Sequence, residues 1–597
     1  MMEGPAVSTD LDDPGLRRRA IAAARGAEPF DLLLQGGQLI DVVTGEIRPA
    51  DVGLVGPLIA SVHERDQRAD ATRKIDCREK WLAPGLIDTH MHVESSMTTP
   101  RAYAETVLQQ GTTTIVWDPH ELGNVLGLRG VDWAIAASRE LPLRCLILAP
   151  SCVPSAPGLE LAGAEFGPDE LRAMLARPEI VGVAEVMDMR GVLERQPRMS
   201  GIVQAGLEAG KLVCGHARGL AGADLQAFAA AGIQSDHEIT GAEDLLAKLR
   251  AGYWIELRGS HPYLLPDCVT ALRELPLLPA TLTLCTDDVF PDDLVEQGGM
   301  SALLRRLIGL GMAPAAVWRC ATLQAALRLG RADLGRIAPG CRADILVLDD
   351  HLDIRVRDVL VSGRLVVGDG QWLETLPGEP AMPFGPTVQV GPLAADDFLL
   401  RAAPGQGEEL RLRTIVGARF TRWGECRATV VDGVVVPPTG TNRMAVIHRH
   451  GRRPAVPSLA LQEDWGQWSG ALATTVSHDS HNLAIFGSDP ADMAAAANAV
   501  VAMQGGMAVA KAGEVIARLA LPVAGLVSAA PAKETAAAFE ALKRAADKVG
   551  DWAPPYRVFK AVVGASLACN AGPHLTDLGI ADGTTGELTS MEVSSSP

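Results

Sequence analysis

Ala83-Pro-Gly-Leu-Ile-Asp-Thr-His-Met-His92 is an apolar run that ends on two histidines separated by one residue. Side chains alternate along a strand, so His90 and His92 project to one face and Met91 to the other. Two imidazoles on one face suit two ligands to a single metal ion. A lone histidine in such a strand is more often a hydrogen-bonded structural residue, so the weight of this pair depends on the rest of the chain.

From about Leu82 to Gly335 the sequence alternates regularly. Short β-type runs begin at Thr112, Leu143, Ile180, Lys211 and Thr281. Helix-like segments lie between them at 100–110, 168–178, 221–231 and 241–250. Alternating strand and helix over about 250 residues fits a (β/α)8 barrel, and a doubly wound sheet would show the same period. The titratable residues decide between the two. They fall at the ends of the expected strands: His90 and His92; Asp118, His120 and Glu121; Ser151; Glu185; His216; His237 and Glu238; Arg258; Asp287 and Asp288. A barrel gathers all of its βα loops on one face, whereas an open sheet does not collect eight strand ends into one cup. The expected fold class is therefore α/β, a metal-dependent (β/α)8 barrel spanning 83–335.

The constellation His90, His92, Glu185, His216, His237 and Asp287 offers four imidazoles and two carboxylates. One divalent ion uses about four ligands, and six suit two metals about 3.5–4 Å apart sharing a bridging oxygen. Other metal and phosphate signatures fail. Neither His120-Glu121 nor His237-Glu238 has the second histidine of HExxH, there is no PCxxC, and Gly206–Lys211 is one residue short of a P-loop. Cys152 and Cys214 read as core fillers.

Strand-rich sequence flanks the barrel on both sides. Residues 30–82 and 336–377 alternate apolar runs with glycine and polar turns, which suggests one small sheet domain built from both flanks, two unrelated β extensions being the alternative. Residues 1–29 read as an exposed lead-in with a short helix ending near Arg25, and 378–392 as a Pro/Gly-rich linker. Beyond it, 393–590 mixes strands with Ala-rich helices at 490–503 and 533–548 and is expected to form an additional C-terminal α/β domain. The tail from Thr589 reads as frayed.

With 54 basic and 72 acidic side chains the net charge of the 597 residues is −18, a poor match for phosphate backbones or anionic lipid. Nucleic acid and membrane are not expected as partners. No run approaches 18 apolar residues, the N-terminus lacks a secretory apolar core, and the ten cysteines form no CxxC pair, so a reducing cytoplasm is expected. Ala-rich helix faces make a homo-oligomer the expected assembly.

Several stretches together resemble one family. Ala83–His92 matches the first-strand signature of the amidohydrolase superfamily, and the match narrows through Val93-Glu-Ser-Ser-Met97, Trp117-Asp-Pro-His-Glu121, Pro150-Ser-Cys-Val-Pro154, Gly182–Met187, Ser235-Asp-His-Glu238, Leu284-Cys-Thr-Asp-Asp288 and Val476-Ser-His-Asp-Ser-His-Asn482. These are similar to the bacterial adenine deaminases. The resemblance implies a (β/α)8 barrel with a flanking small β-sandwich and an additional C-terminal domain, and hydrolysis of adenine to hypoxanthine and ammonia, in purine salvage, at two divalent ions (Mn2+ or Fe2+, with Zn2+ an alternative). It also implies that His90 and His92 hold the first metal, that His216 and His237 hold the second, and that Glu185 bridges them. Asp287 would ligate the first metal and shuttle protons.

A second acid must protonate a ring nitrogen. Asp118, His120, Glu121 and Asp288 are candidates, with Glu121 and Asp118 favoured. Glu94, Ser95, Arg258 and Asp288 are candidate substrate contacts, although Glu94 and Ser95 could instead brace the ligands and Arg258 could form an ion pair. His478, Asp479, His481 and Asn482 either close over the pocket or form a hydrogen-bonded turn. This chain departs from the family pattern at Arg218, Val289 and Phe290, which bears on substrate affinity. Two rival functions are another amidohydrolase reaction on a different purine or cyclic amide, and a non-catalytic assembly protein on the same scaffold.

Overall fold

A computed structural model describes residues 9–376, 378–382, 384–404, 406–417, 420–551 and 558–592, with residue 9 and 558–560 described in backbone only. Eight parallel strands form its centre: β1 (Leu86–Met91), β2 (Thr112–Trp117), β3 (Arg144–Pro150), β4 (Ile180–Val186), β5 (Leu212–Gly215), β6 (Ser235–Asp236), β7 (Trp254–Arg258) and β8 (Leu282–Cys285). They pair in sequence order from β1 to β8. The ring closes where Met91 bridges Asp287 in parallel, the Asp287 amide donates to the His90 carbonyl (3.1 Å), and Thr89 Oγ1 donates to the Leu284 carbonyl (2.9 Å). This is a (β/α)8 barrel. Its strands are buried along most of their length, as a sheet covered on both faces requires.

One end of the barrel interior is plugged by a charged residue. Arg328, from the short helix Ala325–Arg328 beyond β8, donates to the Thr89 carbonyl (3.1 Å) and Ser235 Oγ (2.8 Å) and pairs with Glu256 on β7 at 2.5 Å. A single guanidinium thus ties β1, β6 and β7 together from inside.

The flanking strands Phe30–Asp41, Glu46–Val55, Leu58–His63, Ala71–Asp76 and Trp81–Pro84 join Ile345–Asp350, Arg355–Val361, Arg364–Gly368 and Gln371–Trp372 in one hydrogen-bonded sheet. The sheet folds back on itself. Leu58 bridges Arg342, and Leu34, Val52 and Ile59 share a core with Ile345, Val347 and Leu360. Both flanks therefore build one unit.

Two segments are more embedded than their composition indicates. The helix Pro14–Ala24 is not an exposed lead-in: Ala20 and Ala23, with Leu11, are buried against Phe30, Leu33, Val55 and Leu58. Small residues at helical spacing among its arginines make that face. The stretch expected as a free linker is pinned from Val388 onward. Val388 and Val390 are buried, the Gln389 amide donates to the Arg449 carbonyl (2.8 Å), and the Leu393 amide donates to Asn498 Oδ1 (2.9 Å). At the other end, Thr589 closes a strand and Glu592 bridges Leu412, while 593–597 lie outside the described residues, as do 1–8.

The C-terminal part is a second nine-stranded sheet, with the helix Pro490–Ala502 against its core residues Ala445, Ala473 and Ile485. Within it the antiparallel strands Ala471–Thr474 and Leu483–Gly487 are joined by a loop carrying Ser477-His-Asp-Ser-His-Asn482. That loop enters the mouth of the barrel. Asn482 Nδ2 donates to the Leu161 carbonyl (2.9 Å), and the Leu161 amide donates to Asp577 Oδ1 (3.0 Å). No helix among the described residues is long and apolar enough to cross a membrane.

Candidate metal centre and pocket

Strand alternation places His90 and His92 on the inner face of β1, with ring centroids 4.9 Å apart. His90 also stacks on His237 at 4.1 Å. β5 and β6 approach closely because Gly215, directly before His216, lacks a side chain: a Cβ there would lie 2.8 Å from the Ser235 carbonyl oxygen. At the seam, the Thr286 amide and hydroxyl donate to the Asp88 carboxylate at 2.9 and 2.5 Å, setting Asp287 beside the two β1 histidines. Asp287 itself takes a left-handed conformation (φ 57°).

All four of these imidazoles converge on Glu185, and they divide by oxygen. Oε1 lies 3.3 Å from His90 Nε2 and 3.3 Å from His92 Nε2. Oε2 lies 2.6 Å from His216 Nδ1 and 3.1 Å from His237 Nε2. Asp287 Oδ1 completes the first half at 3.5 Å from His92 Nε2. Burial would raise the Glu185 carboxyl, but His237, His216 and His90 outweigh it and hold it well below the usual range. Burial likewise opposes ionisation of Asp287, and Arg258 with His92 overcomes it.

These residues fit metal ions. His92 Nδ1 donates to the Asp118 carbonyl (3.0 Å), which fixes the tautomer and leaves Nε2 free toward the centre. Nε2 of His90 and Nε2 of His216 are buried without a hydrogen-bond partner. Buried polar atoms are otherwise satisfied almost throughout folded proteins, so an orphan set of this kind points to a ligand. Groups including His90–His92–Asp287 and His90–Glu185–His237 have the spacing of metal ligands.

The remaining candidates scatter. Of the four expected substrate contacts, only Asp288 lines the cavity that holds the metal-ligand candidates. Glu94 accepts from Trp117 Nε1 (2.8 Å) and the Leu122 amide (3.3 Å), bracing β2 against the first loop. Arg258 does not face the cavity. Its guanidinium bonds Glu238 Oε1 (2.5 Å) and Oε2 (2.8 Å) and Asp287 Oδ2 (2.8 Å). Asp118 holds His120 Nδ1 at 3.0 Å, and neither Asp118 nor Glu121 lines the cavity, whereas His120 does.

Ser95 connects Glu121 to the cavity wall. Its Oγ lies 3.0 Å from Glu121 Oε1 and 2.5 Å from Asp288 Oδ1. A hydroxyl has one proton for these two acceptors, so satisfying both contacts requires a proton on one carboxyl. Burial raises the Glu121 carboxyl against the pull of His478, His92 and His120.

Three residues outside the expected set also belong to the site. Glu238 lines the cavity, grouped with His216 and His237, and its carboxylate is held ionised against burial by Arg258 and Arg218. Its adjacency to His237 at a strand end was the available signal. Arg218, at the family departure, binds Glu238 and stacks over Phe420 (4.8 Å). Phe290, at another departure, lines the cavity and packs on Phe539. His478 and Asp479 reach the same cavity from the C-terminal sheet, so the loop does close over the pocket. A larger neighbouring cavity, about 880 Å³, shares Met187 with this one and has no imidazole in its lining.

Residues 81–366 match the family model for the amidohydrolase family, and 418–587 match the adenine deaminase C-terminal domain. "Adenine deaminase 2" of Rhizobium meliloti (strain 1021) is 58% identical over 584 residues, 98% of this chain and 98% of its own length. Adenine deaminase of Klebsiella pneumoniae subsp. pneumoniae is 55% identical over 574 residues, 96% of this chain and 95% of its own. A crystal structure of a Xaa-Pro dipeptidase overlaps 56% of the chain and all of its own, at TM-score 0.45 and 18% identity. The chain belongs to the adenine deaminase family of the amidohydrolases.

Proposed function

We propose that the protein hydrolyses adenine to hypoxanthine and ammonia at a centre for two divalent ions. The observation that carries this reading is the division of Glu185, one oxygen facing His90 and His92 and the other facing His216 and His237. A carboxylate so placed joins two ligand sets in one site, and relatives named adenine deaminase match over nearly the whole chain. When bound, two such ions supply Lewis acidity and a water whose pKa falls from 15.7 to roughly 7.

The chain's own groups do the rest. Asp287 Oδ2 is held by Arg258 (2.8 Å) and Ser260 Oγ (2.9 Å), so Oδ1 is the atom left to take a proton from the attacking water and pass it to the departing amine. The carboxyl that holds the shared proton, Glu121 or Asp288, delivers it to the cavity on the Asp288 side of Ser95, which places an acid beside the ring nitrogens. Manganese or iron is the ion we favour. Zinc stands above them in intrinsic affinity, so supply rather than ligand type selects among the three.

The test is an ultraviolet assay of manganese-loaded protein with adenine, monitoring hypoxanthine and ammonia, beside His90→Ala. Turnover by the parent and loss in the variant is the expected result. A fully metallated parent that ignores adenine but turns over another purine or a cyclic amide would overturn the substrate assignment.

A further inference from the structure

The loop 477–482 is built more rigidly than a surface hairpin needs to be. All six residues are buried. The His478 amide donates to the Val563 carbonyl (2.8 Å), and the His481 amide donates to the Ser477 carbonyl (2.8 Å). Arg449, itself buried, donates to the carbonyls of His481, Ala524 and Thr387. This framework holds two polar side chains, His478 and Asp479, at the wall of a cavity whose other wall is the ligand set.

A chain of contacts fixes their orientation from the barrel side. Asp118 Oδ2 faces His120 Nδ1 at 3.0 Å, His120 Nε2 lies 3.6 Å from Asp479 Oδ1, and the same oxygen lies 3.3 Å from His478 Nδ1. With Nδ1 turned to Asp479, His478 has Nε2 left for the cavity. Among the described residues, no carboxylate other than that of Asp479 forms an ion pair with this ring. Burial would lower the His478 pKa, but Asp288, Asp479 and Glu121 raise it to about 9, so Nε2 carries a hydrogen at neutral pH.

We propose that the C-terminal domain supplies part of the purine site, with His478 Nε2 donating a hydrogen bond to an unprotonated ring nitrogen of the substrate and Asp479 positioning that donor. This inference rests on the adenine reading and adds a specificity-determining residue to it. A cationic donor suits a ring-nitrogen lone pair and also draws electron density from the ring, which favours attack at carbon 6. His478 is not among the groups that converge on Glu185, so its role is separable from metal retention.

The experiment compares parent, His478→Phe and His478→Gln, all manganese-loaded, with metal content and melting temperature measured beside kinetics. Adenine and its 1-deaza, 3-deaza and 7-deaza analogues are used, the analogues as competitive ligands. The expected result is two ions per chain in all three proteins. KM for adenine should rise about 10–100-fold in His478→Phe, the range for a hydrogen bond to a charged group, with partial recovery in His478→Gln. One deaza analogue should bind much more weakly than the others to the parent and lose that disadvantage in His478→Phe. Parent-like kcat/KM in a metallated His478→Phe overturns the proposal, as does loss of metal, or an analogue ranking that the substitution leaves unchanged. Failure of the parent to use adenine would instead strike the adenine reading itself.

Discussion

Glu185 carries two consequences at the scale of single residues. With Oε1 toward one histidine pair and Oε2 toward the other, it is an acidic group that both halves of the site share. Glu185→Gln keeps the shape and removes the charge, so bound manganese should fall from about two ions per chain to one or fewer, read by elemental analysis after gel filtration. Asp287→Asn removes the proton acceptor, and kcat should drop by about 10²–10⁴. Arg258 tests the electrostatics behind it. The guanidinium depresses the pKa of both Asp287 and Glu238. In Arg258→Met those carboxyls titrate at higher pH, and the base role proposed for Asp287 requires its ionised form. The acid limb of the kcat/KM profile should therefore move upward in pH, and the variant should lose about 3–5 kcal/mol of stability because buried charge is left without its partner. An unmoved acid limb would remove Asp287 from the role of base.

At the scale of elements, the helix Ala242–Arg250 shows how the scaffold aims its ligands. Lys248, fully buried, pairs with Asp236 at 2.8 Å and Asp244 at 3.0 Å and donates to the Glu238 carbonyl (2.7 Å). It thereby clamps the residues on either side of His237. Burial opposes both charges, and their mutual attraction prevails, raising Lys248 and lowering Asp236. The Asp236 contribution is present above the unfolded carboxyl pKa near 3.9 and is lost as pH falls through the lower folded value. The Lys248 contribution is full below about 10.4 and fades as pH rises through its higher folded value. Lys248→Met should cost about 3–5 kcal/mol in a thermal melt at neutral pH, with a smaller deficit in acid, where the parent also loses the pair. A melt unchanged from the parent would show that the clamp is not structural.

Elements such as these were legible in sequence where period and punctuation agreed. The run Thr112–Trp117 became β2, and Pro100 and Pro490 start helices near the expected positions. Legibility failed where long-range contacts decide. Nothing local marks Val388 and Val390 as core, since they pack with Ala445, Ile447 and Val500, more than fifty residues further along the chain. Strand-end histidines were visible because only a barrel gathers them. Glu94, Ser95 and Arg258 were visible as chemistry, but their direction was not, since a carboxylate that braces a strand and one that binds substrate look alike in sequence.

At the scale of the whole molecule, the ligand candidates come from β1, β4, β5, β6 and the turn after β8, and the pocket is closed by a loop from the C-terminal sheet. Metal binding should therefore stabilise the assembled chain. Ions at a hundredfold their dissociation constant add about 2.7 kcal/mol per site, so chelation should lower the melting temperature and manganese restore it. His478 and Asp479 line the pocket from across the junction, with Asp479 Oδ1 3.6 Å from His120 Nε2, so the barrel alone lacks one wall of it.

The most direct measurement is a titration of manganese into chelated protein, with bound metal and adenine turnover monitored together. Turnover should be absent in the apo chain and should reach its full value as bound metal approaches two ions per chain. Full turnover without metal, or none at two ions per chain, would contradict a Glu185-bridged centre for adenine hydrolysis.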